Sequence, residues 1–383
     1  MKIIAAIVSA LIATTSSFSQ VLQNDNGWRP AWGLDRIDQR EALLNDRYNY
    51  THDGTGVTVY VFDSGINSTH EEFAGRVEPG YTAINDGYGT EDCAGHGSHT
   101  ASLIGGKTYG VAKNVRLVSV RVLNCSNSNS SSASLYPAID WMVEHHQVGV
   151  PAVVNMSVGM PSSAAFNEAT RKLIADGMIV VGAAGNQNRD ACLYSPASEQ
   201  SVISVGAVDK TELRASYSNY GSCVDIFAPG SDVVGAWFGA TNIYRSSSGT
   251  SNAAPIVSGI VATILQRNPL LNQQQVEQLL IANSTQNVLF NIGTASPNRL
   301  AYSVFDIQTE VTTTTSTTIS VVTTTTIPAP VVVAPTTTSA PAPTNLTCYN
   351  PAERTKIYGV PYVCVNTGNS LTWIPRRYSP GRP

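Results

Sequence analysis

The sequence predicts an α/β protein built on a mostly parallel sheet with helices on both faces. Two observations carry this. Short strand-like runs alternate with segments of helical spacing between residues 28 and 306, and the clearest run, VTVYVF at 57–62, is apolar along its whole length, as a strand buried on both faces must be. With 383 residues, the chain is also long enough to bury a large core. In order, 57–62 reads as a buried strand rich in β-branched residues, and 115–122 (VRLVSVRV) as an alternating one. The spacing predicts a helix over 134–146, a strand over 150–156 and a helix over 164–176. Strands over 178–183, 201–207 and 224–227 continue the series, and 251–266 reads as a long apolar helix. In such sheets, chemistry collects at the carboxyl ends of the strands.

Composition narrows the class of function. Lys and Arg number 23 against 27 Asp and Glu, a net charge of −4 with 13% charged residues, about half the usual share of roughly 25%. No basic surface can be built from that, which excludes nucleic acid as a partner. Residues 1–19 read as a secretory signal: Lys2 supplies the positive start, 3–13 an apolar run too short to span a bilayer, and Ser17-Phe18-Ser19 a cleavage site before Gln20. The mature chain is expected outside the cell or in a periplasm, with no integral membrane segment.

Six cysteines in an exported chain suggest disulfides, and their 15 possible connectivities are left open by spacing alone. No CxxC or Cys/His spacing supports a zinc site. Residues 307–347 are dominated by Thr, Pro, Val and Ala and read as an extended, semi-rigid linker. Residues 348–383 form a small C-terminal segment, which at that size needs a disulfide to hold a shape.

Three stretches carry chemistry. Asp63-Ser64-Gly65 ends the VTVYVF strand and places a carboxylate at the sheet's carboxyl edge. Gly95-His96-Gly97-Ser98-His99 brackets a histidine with glycines. Gly249-Thr250-Ser251-Asn252-Ala253-Ala254-Pro255 puts a serine at the start of the long apolar helix, beside free N–H groups. A serine hydroxyl is a poor nucleophile until a neutral imidazole takes its proton, and a buried carboxylate fixes that imidazole's tautomer. Asp, His and Ser occur here in the chain order of one of the known triads. The GxSxG elbow and the order Ser, acid, His of a lipase or esterase are absent.

With these motifs in place, the chain resembles the subtilisin-family serine proteases (subtilases), on their proteinase K-like, aqualysin-type branch. The runs that carry the resemblance are WGLDRIDQR, VYVFDSGIN, HEEFAGR, GHGSHTASLIGG, YGVAKNVRLVSVRVL, NMSVG, AAGNQN, YSPAS, SYSNYGSCVDIFAPG and GTSNAAP, in unbroken order over residues 28–303. The resemblance implies a subtilisin-like protease domain over 28–306. It makes Ser251 the nucleophile, His96 the general base and acid, Asp63 the orienting carboxylate and Asn186 the oxyanion donor, while His99 and His70 are structural. It places extended polypeptide substrate between rails, with Ser157, Val158 and Gly159 on one side, Ala183, Ala184 and Gly185 opposite, and Asn127, Ser128 and Asn129 on the outer edge. The uncharged walls imply an apolar or aromatic residue before the cut bond.

The same resemblance implies the pairings Cys93–Cys125 and Cys192–Cys223, which leaves Cys348 with Cys364 by elimination. It also implies structural calcium, one ion held by Asp225 and the carbonyls of Gln200 and Val202, and a second by Asp35, Asp38, Gln39 and Asp46. A monomer is expected.

Three departures stand out. Asn252 follows the nucleophile where the family usually has methionine, the edge at 126–130 reads SNSNS where the family tends to have glycines, and only 20–27 separates the expected signal from the protease domain, with no evident inhibitory segment. The competing function is a catalytically silent binding protein on the same scaffold, displayed on the linker.

Overall fold

The computed structural model describes residues 31–128 and 134–305, and the backbone alone of 19–22, 132–133, 354–357, 360–366 and 371–375. The expected signal and the 20–27 segment, apart from the strand Ser19–Leu22, lie outside the described residues, as do the linker and the pairing of Cys348 with Cys364.

Nine strands form the main sheet, in the spatial order Thr285–Gln286, Arg299–Leu300, Ile226–Pro229, Ile203–Val208, Ile179–Ala183, Ala152–Met156, Thr58–Asp63, Arg116–Arg121 and Val77–Thr82. Every pairing is parallel except the short one at the edge, Thr285–Gln286 with Arg299–Leu300. The central strand shows why both faces must be covered. All six residues of Thr58–Asp63 are buried; Val59 and Val61 join the core on one face, Tyr60 and Phe62 the core on the other. Successive side chains of a strand point to opposite faces, so neither side can be left to water.

Helices His96–Gly105 and Thr250–Arg267 cover the first face, contributing Leu103, Ile104, Val257, Ile260 and Val261 to its core. Helices Tyr136–His145 and Ala164–Ala175 cover the second with Ile139, Met142, Phe166 and Leu173. Full burial of an aliphatic or aromatic side chain of this size stabilises by roughly 1.5–3 kcal/mol before entropy is counted.

The nine elements expected from spacing are present, their ends shifted by up to two residues. Several others were not read from the sequence. The edge strand Val77–Thr82 is interrupted by Pro79 and Gly80 and bulges between Pro79 and Tyr81. Helix Trp32–Ile37 is too short for a period to show. Helix Gln273–Asn283 is mostly polar and is declared by its cap, in which Asn272 and Gln275 each accept the other's backbone N–H. The hairpin Val233–Ala236 with Tyr244–Ser247 spans a long loop. In the second compact unit, 310–383, the described backbone is a three-stranded antiparallel sheet of Arg354–Ile357, Val360–Asn366 and Leu371–Pro375.

Candidate active site

Asp63 is the last residue of the central strand, fully buried at the carboxyl edge of the sheet. Its Oδ1 accepts the Ser64 N–H at 2.7 Å and the imidazole Nδ1–H of His96, also at 2.7 Å. His96 opens the helix His96–Gly105. It can do so because Gly95 adopts φ 95°, and because a Cβ there would lie 2.1 Å from Cε2 of Trp237. The pairing fixes the proton on Nδ1 and leaves Nε2 as the acceptor. Burial works against a charged imidazole, but the negative charges of Asp63 and Asp92 and the Asp63 hydrogen bond outweigh it, so the pKa of His96 is raised above the ordinary imidazole value. The carboxylate is closed off from water, while the imidazole side chain keeps 24% of its surface exposed.

Ser251 is the second residue of helix Thr250–Arg267, in the first turn, where backbone N–H groups have no partner within the helix. Asn186 caps this turn from a distant loop: its Oδ1 accepts both the N–H and the hydroxyl of Thr250, each at 2.8 Å. The amide is thereby oriented, and its Nδ2 faces the nucleophile's side. A Cβ on Gly249 would lie 2.8 Å from Ser251 Oγ and 3.4 Å from Asn186 Nδ2, so hydroxyl and amide flank one small space that only glycine leaves open. The Thr250 hydroxyl also accepts the Gly185 N–H at 3.0 Å, tying the Asn186 loop to the helix. Among the described residues no hydrogen bond joins Ser251 Oγ to His96; such contacts are commonly loose without substrate and tighten in the complex.

Pro255 lies inside the same helix and has no N–H to give to the Ser251 carbonyl. The Ser157 hydroxyl takes that place at 2.9 Å, itself receiving the Asn155 amide at 2.9 Å, while Ser258 donates to Asn155 at 2.8 Å.

A cleft of about 340 Å³ opens beside His96, lined by Leu123, Asn127, Ser128, Leu135, Ser157, Val158, Gly159 and Met160. Five of the nine residues expected to bind substrate are therefore brought together with the histidine. Asn127 holds φ 55°, the left-handed conformation that favours glycine, and it stands on the lining of the cleft. Ala183 and Ala184 are buried, and the Ala184 carbonyl accepts the Asn219 amide at 2.8 Å. Ala183, Ala184 and Gly185 are not among the residues lining this cleft. Asn129 lies outside the described residues.

The disulfides Cys93–Cys125 and Cys192–Cys223 are formed. His99 is buried with Nε2 on the Val233 carbonyl, and burial, with the nearby His96, pushes its pKa down to about 4, which keeps it neutral. His70 is buried between the Ile243 carbonyl and the Glu72 N–H. Neither faces the cleft lining.

Asp35 and Asp38 are buried one helical turn apart; Asp35 accepts the N–H groups of Asn45 and Asp46, and Asp38 Oδ2 accepts both N–H donors of Asn49 at 2.6 Å. Burial pushes Asp38 up to about 6, and its Oδ1 is buried without a partner among the described residues. Gln39 is held to this loop by Asn45, at 2.9 Å. A hard cation could use the idle oxygen, but among the described residues Asp35, Asp38 and Asp46 do not bring three ligand atoms close together, so the site would need further oxygens to hold it. At the other position, Asp225 Oδ2 accepts the Ser204 N–H at 2.8 Å, two residues beyond Val202.

Sequence reasoning missed Thr250, Asn155 and Asp92. Thr250 and Asn155 were in quoted motifs, GTSNAAP and NMSVG, but their partners are 64 and 103 residues away. Asp92 had only its place four residues before His96 as a signal.

Residues 54–303 match the model of the Subtilase family. The chain is 49% identical over 274 residues to an extracellular serine proteinase of Thermus sp. (strain Rt41A), covering 72% of this chain and 66% of that one. It is 46% identical over 276 residues to an alkaline serine exoprotease A of Vibrio alginolyticus, covering 72% and 50%. The chain thus spans between half and about two-thirds of the length of these relatives. Among solved structures, a cold adapted subtilisin-like serine proteinase superposes with a TM-score of 0.69 at 44% identity, over 72% of this chain and 98% of that one. The parallel sheet with helices on both faces is therefore that of the subtilases, and this chain belongs to that family.

Proposed function

We propose that the protein is an exported serine endopeptidase that cleaves polypeptides through an acyl-enzyme. The observation that carries the reading is the buried Asp63 carboxylate 2.7 Å from His96 Nδ1, on the same sheet edge where Asn186 Nδ2 and Ser251 Oγ flank one space. His96 Nε2 takes the hydroxyl proton as Ser251 Oγ attacks the substrate carbonyl. The oxygen that becomes negative receives the Asn186 amide and the Ser251 N–H, and His96 returns the proton to the leaving amine. Water then repeats the sequence on the ester. Asp63 keeps the Nδ1 proton in place throughout and offsets the charge on the imidazolium.

The cleft beside His96 supports a preference for apolar or aromatic side chains before the cut, since Leu123, Leu135, Val158 and Met160 line it without a charge. The names of the relatives support export, and among the described residues no helix is long and apolar enough to cross a membrane. Asp35, Asp38, Gln39 and Asp46, and separately Asp225 with the carbonyls of Gln200 and Val202, would hold calcium, which would neutralise the acidic loop and lock it. The chain read this way acts as a monomer. The test is hydrolysis of a chromogenic tetrapeptide with an aromatic residue before the cut. Wild type is expected to turn over and to be titrated by a fluorophosphonate, whereas folded Ser251→Ala does neither; equal labelling of His96→Ala and wild type would overturn the assignment.

A further inference from the structure

Asp92 is a carboxylate that the reaction scheme above does not use, yet it is 8% exposed and fully engaged. Its Oδ1 accepts the N–H groups of Ala94 at 2.9 Å and Gly95 at 2.8 Å, and the Ser64 hydroxyl at 3.0 Å. Its Oδ2 accepts the N–H and hydroxyl of Ser98 at 2.9 and 2.7 Å. Three of these five donors are backbone N–H groups of the turn that brings in His96 and of the helix's first turn. The fourth, Ser64, is the neighbour of Asp63; its hydroxyl accepts the Gly97 N–H at 2.8 Å while its own N–H donates to Asp63. One carboxylate thus joins the strand that carries the acid to the helix that carries the base.

We propose that Asp92 is a positioning residue for the triad: it clamps the His96 turn onto the Asp63 strand through Ser64 and places a second negative charge behind the imidazole. A backbone clamp alone could be neutral. The anion is required here because three backbone N–H groups converge on it, and a neutral amide in its place would turn a donor toward one of them. Its charge acts on His96 with that of Asp63, favouring the imidazolium that forms when Ser251 gives up its proton.

The charged groups on the surrounding elements do not replace it. The buried guanidinium of Arg121 is occupied bidentately by Asp86 and by the Ser64 carbonyl. Arg245 stacks on Trp237, Glu91 holds Ser68 at the surface, and His99 is kept neutral by burial. The disulfide at Cys93, the next residue, anchors the clamp to the loop that reaches the cleft rim at Asn127.

The inference rests on the hydrolase reading, and the test separates the two. The imidazole protons of His96 are titrated by NMR in the Ser251→Ala background, with and without Asp92→Asn, and the kinetics of Asp92→Asn are measured with Ser251 intact. The His96 midpoint is expected to fall by roughly half a pH unit or more, the acidic limb of kcat/KM to move the same way, and kcat to drop about 10- to 100-fold with KM nearly unchanged. A folded Asp92→Asn protein with the wild-type midpoint and kcat overturns the proposal. Ser64→Ala cuts only the link between Asp92 and the Gly97 N–H and covers the case in which Asp92→Asn does not fold. It is expected to lower kcat about tenfold at constant KM, while the midpoint stays put because the charge remains; unchanged kcat overturns the clamp. A midpoint that moves in a protein that hydrolyses nothing refutes the hydrolase and leaves the role of Asp92 standing.

Discussion

Ser157 and Pro255 meet through a single atom, the carbonyl oxygen of Ser251. Proline at the fourth position beyond the serine removes the helical donor, and the Ser157 hydroxyl supplies the missing hydrogen bond at 2.9 Å. The turn bearing the nucleophile is therefore fastened from outside the helix, by a residue that also lines the cleft. Substituting Ser157→Ala strands both the Ser251 carbonyl and the Asn155 amide. It should cost about 1–3 kcal/mol of stability, read by denaturant unfolding in the inactive Ser251→Ala background, where self-digestion does not interfere.

Asn186 performs two tasks with one amide. Its oxygen caps Thr250 and its nitrogen faces the space beside Ser251 Oγ. Asn186→Ala should lower kcat by about 100- to 1000-fold with little change in KM, and should also lower the melting temperature through the lost cap. Asn186→Asp keeps the cap oxygen and would retain the stability but not the rate. Steady-state kinetics and a thermal melt on the same two proteins separate the tasks.

The pH profile follows from His96. Because Asp63 and Asp92 hold its pKa above the ordinary imidazole value against the opposing effect of burial, kcat/KM should fall as the pH drops through that raised value, with activity at neutral and alkaline pH. The sign for stability is the same for charge: the protonated form is favoured in the fold, so this contribution is present below the unfolded imidazole value and is lost as pH rises through the raised one. Asp63→Asn should leave the fold intact and slow turnover by roughly 10⁴-fold, because the amide can favour the wrong tautomer. A pH series on both proteins checks direction and size.

Chelation tests the acidic loop. If calcium is held as proposed, its removal leaves the buried Asp35 and Asp38 carboxylates without the ion's charge, and Asp38 with an oxygen that has no partner among the described residues. EDTA should lower the melting temperature before it lowers turnover at 25 °C, and added calcium should restore it in a concentration-dependent way. An equal melting temperature with and without chelator would remove the ions from this description.

Oxidation tests the residue after the nucleophile. Asn252 is buried and has no thioether, so peroxide has no sulfur to oxidise there. Activity should survive peroxide well, with Met160 on the cleft lining as an oxidisable side chain near the site. Residual activity over a peroxide time course, beside an Asn252→Met variant, decides it.

The legible part of the fold was what short range encodes. The strand 57–62 and the helix 251–266 could be read because their apolar runs have no other physical use, and the cap of Gln273–Asn283 could have been, from Asn272 and Gln275. The edge strand Val77–Thr82 could not, because Pro79 and Gly80 erase the period that the neighbouring strand Arg116–Arg121 restores by pairing. Asp63, His96, Ser251 and Asn186 stood out because each sits in a short motif of unusual composition, whereas Thr250, Asn155 and Asp92 are ordinary residues until their partners arrive.

By itself, the order of residues determined that the sheet must be covered on both faces and that the chain is a subtilase, and it pointed to the side chains proposed to hold the chemistry. These are consequences of local pattern, residue type and motif order. Only the tertiary structure decided which atom of Asn186 faces the serine, that Ser157 completes the turn Pro255 leaves open, and that Asp92 binds acid and base segments together. Each depends on donors and acceptors from distant stretches meeting at about 3 Å, a distance set by packing rather than by neighbours in the chain.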